Sequence, residues 1–130
     1  MSSRRLAGAC ALLCLPLAAQ AQTFSGASTW GNDHAKLVIQ SIDATGRLSG
    51  TYTNTGAGFG CANRAFPITG WVDGDKVAYV VHRQDPANCT PIQSFSGFQR
   101  DGELLVEFMA LYTENGSTRL IKGEDRYRKQ

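Results

Sequence analysis

The sequence predicts an all-β protein, an eight-stranded antiparallel up-and-down β-barrel, and three observations indicate this fold class. Side chains alternate in character with period two, as in "RLSGTYTN", where Leu48, Gly50, Tyr52 and Asn54 share one face and the intervening residues share the other. Turn signals rich in glycine, aspartate and asparagine recur about every ten residues. No stretch beyond residue 22 has a comparable helical period.

The turn signals divide the chain into strands. They lie at residues 43–46, 55–64, 73–75, 84–91, 100–102 and 115–116. The strands that they delimit, in chain order, are 23–31, 36–42, 47–54, 65–72, 76–83, 92–99, 103–113 and 118–127. Short connections favour an antiparallel meander, and a meander of eight strands that closes on itself holds side chains or one small ligand. A two-sheet sandwich is the alternative, because it shows the same alternation.

The first 21 residues are predicted to be a signal peptide. A basic start precedes an apolar run from Leu6 to Ala19, which leads into "AQA", the small-x-small pattern of a cleavage site. The run is shorter than the roughly 20 residues that a membrane span needs. Residues 22–130 are then one secreted or periplasmic domain, released by cleavage after Ala21.

The charge of this predicted mature domain is close to zero. The sequence has 13 Lys and Arg residues against 11 Asp and Glu, and Arg4 and Arg5 lie in the predicted signal peptide. Nucleic acid and anionic membrane surfaces are therefore poor candidates for partners.

Two of the four cysteines are expected to form a disulfide. Cys10 and Cys14 lie in the signal peptide, which leaves Cys61 and Cys89 in an oxidising compartment, where pairing is expected. In a meander, the connections that carry these two residues lie at the same end of the barrel. The bridge would tie two loops across the mouth, and closing a loop of about 28 residues stabilises by about 3.5 kcal/mol in the chain-entropy model.

The alternation also predicts which residues face the interior: Asn32, Leu37, Ile39, Tyr52, Asn54, Tyr79, Arg83, Phe95, Phe108 and Asp125. Several are hydrogen-bonding groups, and a buried polar group without a partner costs a few kcal/mol. Either these groups satisfy one another or a ligand satisfies them. Asn32 and Asn54 are expected near the mouth and Asp125 deep inside, among the aromatic walls typical of a small-molecule site.

Five motifs follow one another along the chain: "STWGND", "GRLSGTY", "GCANRAFPITG", "NCTPIQSFSGF" and "GEDRY". Their order and spacing over residues 23–127 resemble the avidin and streptavidin family. The cysteines are similar to those of the short dimeric bacterial avidins, which join the same two loops by a disulfide. The resemblance implies an avidin-like barrel that binds biotin inside it as a ligand and has no cofactor.

The resemblance also assigns roles to inward residues. Asn32 and Tyr52 match positions that bind the ureido oxygen of biotin. Asp125 matches a deep acceptor for one ureido nitrogen, and Asn54 matches the polar acceptor for the other.

Other positions depart from the family pattern. Family tryptophans are replaced by Phe95, Phe108 and Arg83, the last on the strand that carries Tyr79, and a strand-six hydroxyl is replaced by Gln93. The family Ser that binds the ureido oxygen is replaced by Ala35. Losing that donor costs about 1.5–3 kcal/mol, so biotin binding weaker than in typical avidins is expected. Arg83 has two interpretations: its guanidinium lies in water at the mouth, or it pairs with a carboxylate of the ligand.

Strand seven predicts a homodimer. In "ELLVEFMALYT" the inward face is apolar, and Leu105, Met109 and Leu111 make the outer face apolar too. A strand whose outer face is exposed to water does not need apolar side chains on that face, so we expect the outer face of strand seven to pack on another subunit.

Neither catalysis nor metal binding is indicated. His34 and His82 are not spaced with carboxylates or thiols as metal ligands would be, and both are interpreted as surface or mouth residues. No nucleophile, base and orienting group stand in a recognisable pattern, so an enzyme is not expected. The leading hypothesis is a secreted biotin-binding protein. The alternative is an envelope interaction or inhibitor protein with a filled barrel and no biotin binding.

Overall fold

The protein forms eight β-strands in the computed structural model, which describes residues 23–58, 60–83 and 89–130. The strands are β1 (Ser28–Gly31), β2 (Ala35–Ile42), β3 (Arg47–Asn54), β4 (Ala65–Asp73), β5 (Lys76–His82), β6 (Ile92–Arg100), β7 (Glu103–Glu114) and β8 (Ser117–Lys129). Within these ranges, no helix has the length and apolar character to cross a membrane. The predicted signal peptide, residues 1–21, lies outside the described residues.

The strands close into a single barrel. Each pairs antiparallel with the next in chain order, and β8 pairs with β1 through Trp30 opposite Lys129 and Gly31 opposite Arg128. This confirms the predicted up-and-down barrel. The sandwich alternative is wrong, because one continuous ladder joins all eight strands.

Local turn chemistry explains the hairpins at the long strands. The β7–β8 turn consists of Asn115 and Gly116, with φ of 50° and 76°, and the β6–β7 turn of Asp101 and Gly102, with φ of 53° and 77°. Two central residues with positive φ make the type I′ turn, whose twist matches that of the flanking strands.

The first strand is shorter than predicted. The alternation places it at residues 23–31, but the ladder begins at Ser28. Ala27 has a φ of 61°, which breaks the extended backbone. Phe24 still packs against Trp30, with ring centroids 5.8 Å apart. Trp30 is buried in the core.

The predicted disulfide is present. Cys61 and Cys89 are bonded, with their Cα atoms 5.5 Å apart. Cys61 lies in the β3–β4 connection and Cys89 in the β5–β6 connection, so the bridge ties two loops at one end of the barrel.

Candidate ligand-binding site

A polar cluster forms where the β1–β2 turn meets β8. Asn32 Oδ1 accepts hydrogen bonds from the backbone N–H groups of His34 (3.0 Å) and Ala35 (2.8 Å), which fixes the side chain in the turn. Its Nδ2 donates to Asp125 Oδ1 at 2.8 Å and to the Arg126 carbonyl at 3.1 Å. The prediction that Asn32 lies near the mouth while Asp125 lies deep is therefore wrong. The β1–β8 pairing that closes the barrel brings them together.

The Asp125 carboxylate is the centre of this cluster. Oδ1 accepts from Asn32 Nδ2 and from the Arg126 N–H at 3.0 Å. Oδ2 is hydrogen-bonded to His34 Nε2 at 3.0 Å and accepts from the Tyr127 hydroxyl at 2.7 Å. A carboxylate has about four acceptor positions. Its acceptor capacity is therefore used, and a ligand N–H must displace one of these partners to reach it.

His34 takes part in the cluster, which the sequence interpretation missed. Its ring contacts Asp33 Oδ1 through Nδ1 at 2.7 Å and Asp125 Oδ2 through Nε2 at 3.0 Å. Partial burial disfavours the charged form, but the hydrogen bonds to the two carboxylates outweigh it and raise the pKa of His34. Because His34 lies in a turn, strand alternation gives no signal for its direction. His82 is exposed, as predicted.

Three tyrosines surround the inner side of Asp125. Burial raises the pKa values of Tyr52, Tyr79 and Tyr127, and the Tyr127 hydroxyl opposes this at the other two rings. That hydroxyl is close enough to Tyr79 to affect its ionisation. Even so, Tyr79 Oη is buried and makes no hydrogen bond of good geometry with another described residue. Tyr127 was not predicted, although it lies two residues after Asp125 on the same face of β8.

Aromatic rings pack against one another in the interior of the barrel, the chamber. Phe95 stacks on Tyr79 with centroids 4.7 Å apart, and its other neighbours are Tyr52 at 5.0 Å and Phe108 at 6.0 Å. Phe108 fits because Gly123 lies behind it, where an added Cβ would come within 2.6 Å of the ring. The structure therefore places the predicted Phe95 and Phe108 together with Tyr52 and Tyr79.

Arg83 lies inside the barrel, with 2% of its surface exposed. Its Nη1 donates to the Thr90 carbonyl at 3.0 Å and its Nη2 to Gln93 Oε1 at 3.2 Å. The guanidinium also lies 5.4 Å from the Tyr52 ring centroid and 5.7 Å from that of Phe66. The interpretation that it extends into water is therefore wrong, because carbonyl acceptors and ring faces replace water around it. Burial lowers the pKa of Arg83.

Asn54 is the least constrained of the predicted polar residues. It ends β3 opposite Ala35 and is partly buried. Its side chain makes no hydrogen bond with another described residue, whereas its backbone carbonyl accepts from the Asn63 N–H at 2.7 Å.

A separate groove of about 950 Å³ lies mainly on the outer surface of β6, β7 and β8. Phe98, Leu105 and Glu124, which line it, alternate with inward-facing residues and point away from the chamber. Asn32 and Asp125 also line this groove.

The fold and the site together define a class of protein. A closed eight-stranded barrel with aromatic walls and a few converging polar groups is the architecture that holds one small ligand. The chain belongs to the avidin family, whose family model matches residues 19–124. This confirms the resemblance and, with the relatives below, the prediction that the protein is not an enzyme.

Individual relatives agree with this assignment. The chain is 26% identical to afifavidin from Afifella pfennigii over 105 residues, which span 77% of this chain and 66% of that protein. The solved structures similar to it include apo shwanavidin, with a TM-score of 0.69, 34% identity, and coverage of 83% of this chain and 98% of that chain. The rhizavidin–biotin complex has a TM-score of 0.72, 28% identity, and coverage of 82% and 93%.

No metal centre is found in the part of the chain that the structure describes: no three His, Cys, Asp or Glu side chains there are grouped to hold an ion. The candidate site is therefore built from hydrogen-bonding groups and aromatic rings.

Proposed function

We propose that the protein binds biotin, or a biotin-like ureido compound, inside the barrel. The observation that carries the proposal is the cluster of Asn32, Asp125 and the Tyr52 ring at one end of an aromatic chamber. The biotin complex of rhizavidin, a structure of the same fold, supports it. A ureido group is planar with fixed donors and one acceptor, so prearranged partners bind it with little loss of entropy.

Each chamber residue has a role in this proposal. Asn32 and Tyr52 face the ureido oxygen, while Asp125 and Asn54 accept from the two nitrogens. The rings of Tyr79, Phe95 and Phe108 enclose the bicyclic body, and Gln93 and Arg83 lie towards its tail.

We expect binding to be weaker than in typical avidins, for two reasons. Phenylalanine offers less apolar area than tryptophan at Phe95 and Phe108. In addition, a ureido N–H must displace a donor from Asp125, whose acceptor positions are occupied by Asn32, His34, Arg126 and Tyr127. Replacing an existing hydrogen bond brings little net gain.

Thermal melting with and without excess biotin tests this function. A ligand that binds only the native state raises its stability, by about 2.7 kcal/mol at one hundred times Kd. We expect the melting midpoint to rise with biotin and not with a monosaccharide of similar mass. An unchanged midpoint at millimolar biotin would contradict the proposal.

One observation favours the second candidate, an interaction or inhibitor protein with a filled barrel. Asn32 and Asp125 already satisfy each other, so the cluster does not require a guest. The same melting experiment separates the two functions, because a filled barrel gives no response to biotin.

Export is also part of the proposal. We propose that residues 1–21 are removed and that the mature chain begins at Gln22. The disulfide between Cys61 and Cys89 supports an oxidising compartment. Intact-mass spectrometry of the chain expressed in a bacterial host, after periplasmic extraction, should give the mass of residues 22–130. Recovery of the unprocessed mass alone would contradict this.

The outer surface supports a homodimer. An exposed apolar patch crosses β5 to β8 and consists of Val80, Ile92, Met109, Leu111 and Leu120. The register places Ile92 opposite Leu111 and Leu111 opposite Leu120, so these three form a continuous row. A contiguous apolar patch on an outer strand face is typical of a subunit interface.

A further inference from the structure

Arg83 carries more donors than its neighbours in the structure use. It follows β5 directly and continues the inward alternation of Val77, Tyr79 and Val81, so its guanidinium is enclosed by the barrel. A guanidinium has five N–H donors. Two hydrogen bonds from it are present, to the Thr90 carbonyl and to Gln93 Oε1. Both acceptors are neutral.

No carboxylate of a described residue lies within ion-pair distance of Arg83. A buried cation without an anion is unfavourable, since the desolvation cost is not offset by pairing. The faces of Tyr52 and Phe66 compensate in part. They also make the surroundings apolar, which strengthens the attraction of a carboxylate for the guanidinium.

The position of Arg83 along β5 sets the length of a matching ligand. Tyr79 and Arg83 are four residues apart on the same face, and a strand rises by about 3.3 Å per residue, so their Cα atoms are about 13 Å apart. Tyr79 adjoins the Asp125 end of the chamber through Tyr127. A ligand whose polar head lies at that end can therefore place an acidic tail near Arg83.

We propose that Arg83 binds a carboxylate of the ligand, so that the chamber selects carboxylic acids over the corresponding neutral amides. This inference rests on the proposed function, because it concerns the tail of a molecule whose ureido head binds at Asp125. Biotin fits the description, since its pentanoate chain ends in a carboxylate. Arg83 then takes part in the specificity of binding, in addition to its internal hydrogen bonds.

The test compares biotin with biotinamide by calorimetric titration of the wild type, Arg83→Gln and Arg64→Gln. Arg64 is the matched control, because it also lies over the Phe66 ring, at 5.2 Å, but is exposed. We expect the wild type to bind biotin at least about tenfold more tightly than biotinamide, the size of one charge-assisted hydrogen bond. Arg83→Gln should remove this preference, whereas Arg64→Gln should keep it.

Equal affinities of the wild type for the acid and the amide would overturn the role of Arg83 while leaving the proposed function intact. So would equal losses for both ligands in a folded Arg83→Gln protein.

A ligand without a ureido head keeps the two proposals distinguishable. If neither biotin nor biotinamide binds, the proposed function fails, and the inference is then decided by titrating the wild type with pentanoate and pentanamide. We expect millimolar pentanoate to shift the side-chain N–H resonances of Arg83 and pentanamide to leave them in place. The absence of a shift with pentanoate would overturn the inference, and this test uses the wild-type protein alone.

Discussion

Asp125 is the residue on which we expect both the stability of the fold and the binding of the ligand to depend. Replacing it with Asn removes the charge that His34, Asn32 and Tyr127 bond to in a partly buried position. We expect Asp125→Asn to lower the free energy of unfolding by about 1–3 kcal/mol and to weaken biotin binding at least about tenfold. Urea denaturation and calorimetry measure the two effects.

The outward-facing neighbour of Asp125 provides the control. Glu124 is exposed and makes no ion pair with a described residue, so Glu124→Gln should change stability by less than about 0.5 kcal/mol. An Asp125→Asn protein that matches this control in both measurements would contradict the role given to Asp125.

His34 gives the site a dependence on pH. Its pKa is raised in the folded protein, where burial is outweighed by hydrogen bonds to Asp33 and Asp125. A raised folded pKa means that protonated His34 stabilises the fold. This contribution is complete below the unfolded pKa of about 6.5 and is lost as the pH rises through the folded value. We therefore expect the free energy of unfolding to fall as the pH rises above about 6.5.

Urea denaturation between about pH 6 and about pH 8.5 checks this dependence. His34→Gln should remove that part of the pH slope, whereas substitution of the exposed His82 by Gln should keep it. Identical slopes for the wild type and His34→Gln would show that the histidine does not stabilise the fold.

At the residue scale, the sequence predicts strand residues better than turn residues. The side-chain alternation correctly predicted that Tyr52, Tyr79 and Phe95 face inward, because each lies in a regular strand. It gave no direction for His34, which lies in a turn. It placed Arg83 on the inward face but left open whether the guanidinium lies in water, because its burial depends on the Thr90 carbonyl and the Gln93 side chain, which other parts of the barrel supply. The ligand-binding roles of all these residues remain predictions.

At the scale of the strands, glycines set how closely neighbouring backbones approach. A Cβ at Gly50 of β3 would lie 1.9 Å from the Val38 carbonyl oxygen of β2. We expect Gly50→Ala to destabilise the protein by more than about 2 kcal/mol, because backbone atoms must move. Gly26→Ala is the matched control, since its Cβ would meet nothing closer than 3.7 Å. Equal stabilities of the two variants in urea would contradict the close packing of β2 on β3.

The disulfide is the covalent element that ties two connections together. Replacing both cysteines by serine, Cys61→Ser and Cys89→Ser, opens the loop that the disulfide closes across a sequence separation of 28 residues. In the chain-entropy model this lowers the free energy of unfolding by about 3.5 kcal/mol. Denaturation of the double variant, beside the wild type with and without reductant, measures the loss. A loss below about 1 kcal/mol would show that the bridge adds little to the fold.

Strand boundaries could be predicted because turn residues mark them chemically. Seven strands both begin and end within two residues of the expected positions, since glycine, aspartate and asparagine delimit them. The first strand is the exception, because side-chain alternation does not reveal the positive φ of Ala27. The number of strands predicted that the barrel closes. The β1–β8 register, which brings Asn32 next to Asp125, could be seen only in the structure.

At the scale of the whole molecule, the apolar patch of β5 to β8 predicts a dimer. Multi-angle light scattering at micromolar concentration should give twice the mass of the mature chain. Leu111→Lys, in the centre of the row, should give the mass of the monomer, while Gln40→Lys on the exposed side of β2 should leave the dimer unchanged. A monomeric wild type would contradict the assignment of this patch as an interface.

We propose that the chamber around Asn32, Tyr52 and Asp125 receives a ureido head group. Calorimetric titration of the mature wild-type protein with biotin and desthiobiotin, which share that group, tests this proposal. We expect saturable binding of both ligands, with one site per chain and measurable dissociation constants. Absence of heat with either ligand, up to millimolar concentration and at two temperatures, would show that no ureido group binds there.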